Sequence, residues 1–306
     1  MQTTLAKHVT FAGVGLHTGK PVEMVVRPVG AGTGIVFRRT DIAGRDGILP
    51  ALWDRVEVSP LNTRLTNAAG ASVSTIEHVM AALAGCGIHN ALIELDGPEV
   101  PICDGSARDF VRGFVTTGLT RLDAPLHAIE ILREVEVRNG DAWARLSPAT
   151  SLQIDFTIDF ADPAIGRQRK VMNLANGSFV RELSDSRTFC RAADIDAMHA
   201  AGKALGGTLE NAVVVDGAQV LTPGGLRHAD EAVRHKMLDA LGDLMTAGAP
   251  ILGRMTAHKG GHALTNALLR ALFADPAAWR RVNCTPGMAR RLPGVGVTLS
   301  DLPAVA

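Results

Sequence analysis

The feature that most constrains the fold of this chain is a run of short strand patterns followed by helix patterns, which occurs twice. In the first half, residues 20–27 alternate polar and apolar side chains with the period of two typical of a half-buried strand. Residues 74–84 instead carry apolar side chains at helical spacing. The succession restarts after about residue 120. Because layered α+β domains are built in this way, we predict two such domains with a boundary near residues 120–127.

Hydrophobic periodicity and turn residues also predict the individual elements. Asn139-Gly140-Asp141 and Asp216-Gly217 are typical hairpin turns, and Gly85 is expected to end the first helix. The predicted strands cover residues 20–27, 34–39, 91–95, 129–137, 142–146 and 152–160, with a hairpin over 213–221. The predicted helices cover residues 74–84, 107–116 and 231–246, with one more after Gly261.

Composition excludes several classes of protein. Lys plus Arg number 31 and Asp plus Glu number 31, so the net charge is zero, and a nucleic-acid partner, which calls for a basic excess, is not expected. We find neither a signal-peptide pattern nor an apolar run of the roughly 18 residues that a membrane helix requires. The four cysteines form no C-x-x-C pair, which favours reduced thiols. We therefore expect a cytoplasmic protein without a transmembrane segment, and we expect it to be a monomer.

The segment from Glu231 to Met245 carries the clearest chemical signal. On a helix, His235, Lys236, Asp239 and Asp243 share one face, while the apolar side chains gather on the opposite face. A solvated polar stripe with an i,i+4 His–Asp pair produces the same pattern. Taken alone, this helix favours the solvated stripe over a metal site.

Ser74-Thr-Ile-Glu77-His78 is the second signal, and it also has two interpretations. Ser74 and Glu77 have the spacing of a capping box, in which Glu77 would only complete the start of a helix. Alternatively, His78 is a metal ligand with Glu77 beside it. Together with His235 and Asp239, His78 would give two imidazoles and a carboxylate for zinc, leaving a fourth position for water.

Two glycine-containing segments are less specific. Lys259-Gly-Gly-His262 is equally compatible with a turn before a capped helix and with a site for developing negative charge at a helix start. Residues 13–20 resemble a nucleotide-binding loop but have neither of the required glycine spacings. We interpret residues 13–20 as a corner between two strands and assign no role to His17.

Taken together, and in this order, the segments closely resemble the family of UDP-3-O-acyl-N-acetylglucosamine deacetylases, zinc amidases of lipid A biosynthesis. The resemblance is collinear from about residue 10 to residue 280. The matching strings are Gly13-Val-Gly-Leu-His-Thr-Gly-Lys, Ser74-Thr-Ile-Glu-His, Ala81-Ala-Leu-Ala-Gly, Pro101-Ile-Cys-Asp-Gly-Ser-Ala, Ser186-Arg-Thr-Phe, Val233-Arg-His-Lys-Met-Leu-Asp-Ala-Leu-Gly-Asp and Gly261-His-Ala-Leu.

The resemblance implies an α+β fold of two β-α-α-β layered sandwich domains, with the helices packed between the sheets and a small insert in each domain. The domains would cover residues 1–123, carrying Glu77 and His78, and 124–306, carrying the second set of site residues. An insert near residues 190–220 would form a passage for the acyl chain. The site would lie between the domains.

The resemblance also implies roles for individual residues. His78, His235 and Asp239 would hold Zn²⁺. Catalysis would use Glu77 as general base, His262 as electrostatic stabiliser and general acid, Thr188 as donor to the oxyanion, Asp243 to orient His262, and Lys236 near the polar head of the substrate. The expected substrate contacts are Thr63, Asp159, Phe160, Phe189 and Lys259.

The implied reaction is hydrolysis of the acetamide of UDP-3-O-acyl-N-acetylglucosamine, the committed step of lipid A biosynthesis, giving acetate and UDP-3-O-acyl-glucosamine. The small-molecule partner would be this acylated UDP-sugar. Two alternatives are a zinc amidohydrolase of another N-acyl substrate and a binding module without catalysis.

Overall fold

The computed structural model describes residues 1–59 and 61–303. The strands of the N-terminal half are β1 (Thr3–Leu5), β2 (Val9–Val14), β3 (Pro21–Arg27), β4 (Ile35–Arg39), β5 (Ile48–Pro50), β6 (Val56–Glu57), β7 (Arg64–Thr66), β8 (Ser72–Val73), β9 (Ala91–Leu95) and β10 (Leu119–Arg121). The later strands are β11 (His127–Ile131), β12 (Val135–Asn139), β13 (Ala142–Pro148), β14 (Gln153–Asp159), β15 (Arg167–Asn173), β16 (Phe189–Arg191), β17 (Val213–Asp216), β18 (Gln219–Val220), β19 (Ile251–His258) and β20 (Trp279–Asn283). The α-helices are α1 (Glu77–Gly85), α2 (Arg108–Thr117), α3 (Ser178–Glu182), α4 (Ile195–Ala200), α5 (Glu231–Met245), α6 (His262–Ala274) and α7 (Pro286–Ala289).

A five-stranded sheet of order β2-β3-β9-β4-β5 forms the N-terminal layer. Its strands pair antiparallel except β4 with β9, which run parallel. In β3 the alternation predicted from the sequence is confirmed, because Val22, Met24 and Val26 are buried while the side chains between them are more exposed. One face of the sheet therefore supplies apolar side chains to the core.

A seven-stranded sheet forms the C-terminal layer, with β19 at its centre. β19 pairs antiparallel with β13 and parallel with both β11 and β14. The hairpin predicted at Asn139-Gly140-Asp141 is confirmed as the connection between β12 and β13. The second predicted hairpin is confirmed as β17 and β18.

Helices α1 and α5 pack against each other between these layers. Eight of the nine residues of α1 are buried, and so is every residue of α5 except Arg234 and Lys236. Gly242 makes the close crossing possible, because a Cβ atom there would lie 2.0 Å from the carbonyl oxygen of Glu77. The crossing brings the first turn of α1, from the N-terminal half, against the middle of α5, from the C-terminal half.

Each half also carries a smaller three-stranded sheet. In the N-terminal half it consists of β6, β7 and β8, and in the C-terminal half of β16, β17 and β18. The second of these sheets, with α4, falls in the segment predicted as an insert near residues 190–220. The predicted α+β layered fold class is confirmed. The division into residues 1–123 and 124–306 stays a prediction.

Three local predictions were wrong. The predicted strand over residues 129–137 is two strands, β11 and β12, separated by residues 132–134. The capping box is absent: α1 begins at Glu77 after Ile76, without a side-chain cap, and Ser74 bridges to Glu99 instead. Gly85 lies inside α1 rather than after it, and the residue with left-handed backbone beyond this helix is Gly87, at φ 71°.

In the part of the chain that the structure describes, no helix combines the length and the apolar character needed to cross a membrane.

Candidate active site

His78, His235 and Asp239 converge where α1 crosses α5. Each of the three offers one ligand atom, and the three atoms lie within 4.8 Å of one another. All three side chains are buried, with 2–3 % of their residue surface exposed. The burial excludes the solvated polar stripe that the sequence of α5 alone favoured.

The protonation and hydrogen bonding of both imidazoles suit metal ligation. Burial lowers the pKa of His78 to about 3, with His235 acting in the same direction. Burial also lowers the pKa of His235. The Nδ1–H of His235 donates to the carbonyl oxygen of Ser186 at 3.0 Å, which leaves its Nε2 with a free lone pair.

The third group, Asp239, gives the test of whether these residues fit a cation. Its Oδ1 atom is buried and has no hydrogen-bond partner among residues 1–59 and 61–303. This oxygen lies 3.3 Å from Nε2 of His235 and 3.6 Å from Nε2 of His78. Two ligands of a tetrahedral ion, each bound at about 2.1 Å, lie about 3.4 Å apart. The spacing therefore fits a divalent cation with one position left open.

Glu77, the first residue of α1, lies beside this ligand set. Its Oε2 accepts a hydrogen bond from the backbone N–H of Thr63 at 3.0 Å. Burial raises the pKa of the Glu77 carboxyl to about 8, against the opposing influence of His262. Glu77 is thus a carboxyl group whose pKa is shifted toward neutrality, which is typical of general bases.

His262, the first residue of α6, lies on the far side of Glu77. Its Nδ1 is 3.0 Å from Oδ2 of Asp243, and its Nε2 is 3.8 Å from Oε1 of Glu77. Burial works against a charged imidazole here, but the carboxylates of Asp243 and Glu77 raise the pKa of His262 to about 9. His262 is therefore held as an imidazolium that can donate a proton from Nε2.

Lys236 and Thr188 complete the wall around the ligand set. The Lys236 ammonium donates to Oδ2 of Asp239 at 2.7 Å. Burial disfavours the charge of Lys236, yet Asp239 raises its pKa, so the ammonium is retained. Thr188 lies just before β16, with its backbone tied to Gly105 and Val213.

A cavity of about 490 Å³ opens in front of this cluster. Near its outer end, the Lys259 ammonium lies 2.7 Å from Asp141 and 3.8 Å from Asp159. The rings of Phe160 and Phe189 meet edge to face at 5.3 Å. The predicted site residues that line this cavity are Glu77, His78, Asp159, Phe160, Thr188, Phe189, His235, Lys236, Asp239, Lys259 and His262.

Two predicted site residues, Thr63 and Asp243, lie behind the lining. Thr63 is 3 % and Asp243 is 4 % exposed. The Thr63 hydroxyl donates to Oδ1 of Asp243, so it is turned toward the buried carboxylate. Asp243 lies where a residue orienting His262 is needed. A substrate contact at Thr63 stays a prediction.

A second cavity, of about 270 Å³, adjoins the first and has a mainly apolar lining. The two cavities share Leu16, His17, Thr188, Phe189 and Met198, among others. The remaining lining comes largely from residues 195–214, the segment predicted to form the acyl passage.

Sequence reasoning left His17 without a role, and the structure places it where the two cavities meet. Its Nδ1 accepts from the N–H of Ala204 at 3.3 Å. The corner that carries it is fixed because both carboxylate oxygens of Glu99 accept backbone hydrogen bonds, from His17 at 2.9 Å and Thr18 at 2.8 Å. A signal was present in Gly15, where a Cβ atom would lie 2.3 Å from the Glu99 carboxylate.

Comparisons with known proteins point in one direction. A family model described as UDP-3-O-acyl N-acetylglycosamine deacetylase matches residues 2–274. A UDP-3-O-acyl-N-acetylglucosamine deacetylase of Phenylobacterium zucineum (strain HLK1) is 49% identical over 279 residues, covering 91% of this chain and 95% of that protein. Proteins of the same name from Shewanella sp. (strain W3-18-1) and Shewanella oneidensis are each 48% identical over 284 residues, covering 92% of both chains.

Proposed function

This chain belongs to the UDP-3-O-acyl N-acetylglycosamine deacetylase family, and we therefore propose that it hydrolyses the acetamide of UDP-3-O-acyl-N-acetylglucosamine with Zn²⁺ as its metal. The products are acetate and UDP-3-O-acyl-glucosamine, and the reaction belongs to lipid A biosynthesis. The observation that carries the proposal is the unsatisfied, buried Oδ1 of Asp239 between the Nε2 atoms of His78 and His235.

His78, His235 and Asp239 are the residues that would hold the ion. Neutral imidazoles and a carboxylate are ligands that zinc accepts, and three protein ligands are typical of catalytic rather than structural zinc sites. When bound, the ion supplies a Lewis acid that polarises a carbonyl oxygen and brings the pKa of water down toward about 7.

Glu77 is the general base in this mechanism. Its carboxylate faces the open side of the ligand set, and the N–H of Thr63 fixes one of its oxygens. From there Glu77 removes a proton from the attacking water, which contributes about 10²–10⁴-fold to the rate.

His262 is the general acid. The leaving amine must be protonated before it departs, and the Nε2–H of His262 faces the same space as Glu77. Asp243 keeps this imidazole charged and fixes its orientation through Nδ1. The Thr188 hydroxyl is the donor to the oxygen on which negative charge develops, because Thr188 lies in the cavity wall.

The two cavities divide the substrate between them. Lys236 and Lys259 supply positive charge for the diphosphate, and Asp159 and Phe160 accept the uridine at the outer end of the first cavity. Phe189 packs on the sugar, and the acyl chain lies in the mainly apolar second cavity. The four cysteines are free thiols, which suits a reducing compartment, and we propose a cytoplasmic monomer.

The experiment that tests this function is an acetate-release assay on the acylated UDP-sugar, with and without a chelator. We expect release that is lost on chelation and restored by Zn²⁺, with no release from simple acetamides. Equal release from simple acetamides would favour a zinc amidohydrolase of another N-acyl substrate. Binding of the UDP-sugar without any release would favour a binding module.

A further inference from the structure

We infer that Thr63 is a positioning residue that holds the general base and the general acid of this site in register. The inference deepens the proposed deacetylase function and rests on it for its kinetic consequences. Thr63 lies in the segment before β7, outside the elements that carry the catalytic groups. Through it, three separate elements are joined: the first turns of α1 and α6 and the middle of α5.

Two different parts of Thr63 make the contacts. Its backbone N–H donates to Oε2 of Glu77 at 3.0 Å. Its hydroxyl donates to Oδ1 of Asp243 at 2.5 Å and lies 3.2 Å from Nδ1 of His262. A single buried residue thus touches the general base directly and also touches both members of the Asp–His pair.

The donor and acceptor inventory fixes the direction of these hydrogen bonds. A carboxylate only accepts, so the Thr63 hydroxyl must give its hydrogen to Asp243. The Nδ1 of His262 also lies within bonding distance of Asp243 and therefore carries a hydrogen. The hydroxyl oxygen of Thr63 then faces that Nδ1–H with a lone pair. As a result, the hydroxyl restricts both the plane of the carboxylate and the rotation of the imidazole.

Thr63 can restrict its neighbours because its own segment is tied down. Its carbonyl oxygen accepts from the N–H of Ile76 at 3.3 Å, next to the start of α1. The preceding side chain, Asn62, donates to the Thr75 hydroxyl at 3.1 Å, which in turn donates to Glu99 at 2.8 Å. The whole segment therefore moves with the first turn of α1, so the hydroxyl transmits the position of α1 to α5 and α6.

The test compares Thr63→Val with Thr63→Ser in the zinc-loaded protein. Valine keeps the shape and the backbone N–H but removes the hydroxyl, whereas serine keeps the hydroxyl. We expect Thr63→Val to lower kcat roughly 10- to 100-fold with little change in KM, the size of effect expected for loss of a hydrogen bond to a charged group. We expect Thr63→Ser to recover most of that loss.

A matched control separates positioning from stability. Thr4 is 3 % exposed, and its hydroxyl donates to the carbonyl oxygen of Asn90 at 2.8 Å, away from the site. Thr4→Val removes a buried hydroxyl in the same way and should lower the melting temperature about as much as Thr63→Val, without changing kcat. Zinc content should be the same in all these variants, because Thr63 does not touch the ligand atoms.

Two further measurements test whether Thr63 acts through His262. In the His262→Ala background, adding Thr63→Val should cost little more, because the group that the hydroxyl orients is gone. In the NMR spectrum of the protein without substrate, the hydrogen-bonded Nδ1–H resonance of His262 should shift or vanish in Thr63→Val. The same resonance should persist in Thr63→Ser and in Thr4→Val.

The inference is overturned if Thr63→Val keeps the wild-type kcat and the wild-type His262 resonance. It is also overturned if the rate losses of Thr63→Val and His262→Ala multiply fully in the double variant. If the wild-type protein releases no acetate, the proposed function fails. The NMR comparison still decides whether Thr63 holds the imidazole, so the two failures are distinguishable.

Discussion

Replacing Gly242 by alanine should disconnect the metal site without abolishing the fold. A Cβ atom at this position would lie 2.0 Å from the carbonyl oxygen of Glu77 and 2.8 Å from its carbonyl carbon, both of them backbone atoms of α1. Non-bonded carbon atoms pack at about 3.5–4.0 Å, so α1 and α5 must separate by roughly 1 Å. Because α1 carries Glu77 and His78 while α5 carries Asp239, the separation acts directly on the ligand set.

The magnitude follows from two opposing effects. In an open helix, Gly→Ala stabilises by about 1 kcal/mol, whereas forcing extra volume into a packed contact costs about 1–3 kcal/mol. The free energy of unfolding should therefore fall by no more than about 2 kcal/mol. Metal sites tolerate only about 0.2 Å of displacement, and a 1 Å misplacement of catalytic groups can cost about 100-fold in rate. We expect metal affinity and kcat/KM each to fall at least about 100-fold.

The assay is metal content after dialysis against a weak chelator, together with thermal melting and acetate release. Gly287→Ala is the control, because Gly287 lies in helix α7 and a Cβ atom there would meet only the Thr285 hydroxyl, at 3.9 Å. The control should retain metal and activity. If Gly242→Ala keeps its metal and melts higher than the wild type, the argument from the helix crossing is refuted.

Further predictions concern the catalytic groups, the passage and pH. Glu77→Gln should keep the fold and the metal, because an amide oxygen still accepts a backbone hydrogen bond, yet lose about 10²–10⁴-fold in kcat; retained activity would show that Glu77 is not the base. His262→Ala should slow turnover far more than it weakens metal retention, measured as kcat against metal content, and equal losses would contradict its role as the acid. Met198→Trp, where the cavities meet, should lower kcat/KM roughly tenfold for long acyl chains and less for short ones; an effect independent of chain length would place the chain elsewhere. Burial opposes the charge of Glu231, but hydrogen bonds from its buried arginine partner lower its pKa, so Glu231→Gln should cost about 3 kcal/mol at neutral pH, and its gap to the wild type in melting temperature should narrow as the pH falls below about 4; a constant gap would contradict this.

The sequence predicted the helix faces well but not how far they are buried. Apolar spacing in α5 identified the side that packs and placed His235, Asp239 and Asp243 on the other side. The same spacing was compatible with water on that polar side, because the periodicity of one helix carries no information about a second helix. Only the crossing with α1 shows that both faces are covered.

The errors lie where a tertiary contact replaces a local one. Ser74 and Glu77 have the spacing of a capping box, but the Glu77 carboxylate turns away to the N–H of Thr63. The partners of Thr63 on α5 and α6 are 180 and 199 residues away along the chain. In the segment over residues 129–137, no glycine or proline marks the point where β11 ends, so its continuous β-propensity concealed a break.

The crossing of α1 and α5 also makes ion binding and the docking of the two halves a single thermodynamic event. Neither half alone holds enough ligands: His78 comes from one, and His235 and Asp239 come from the other. By linkage, an ion that binds only the docked arrangement stabilises it by RT ln(1 + [ion]/Kd). Removing the ion should therefore increase hydrogen exchange first along both sides of this crossing, while the outer sheets stay protected.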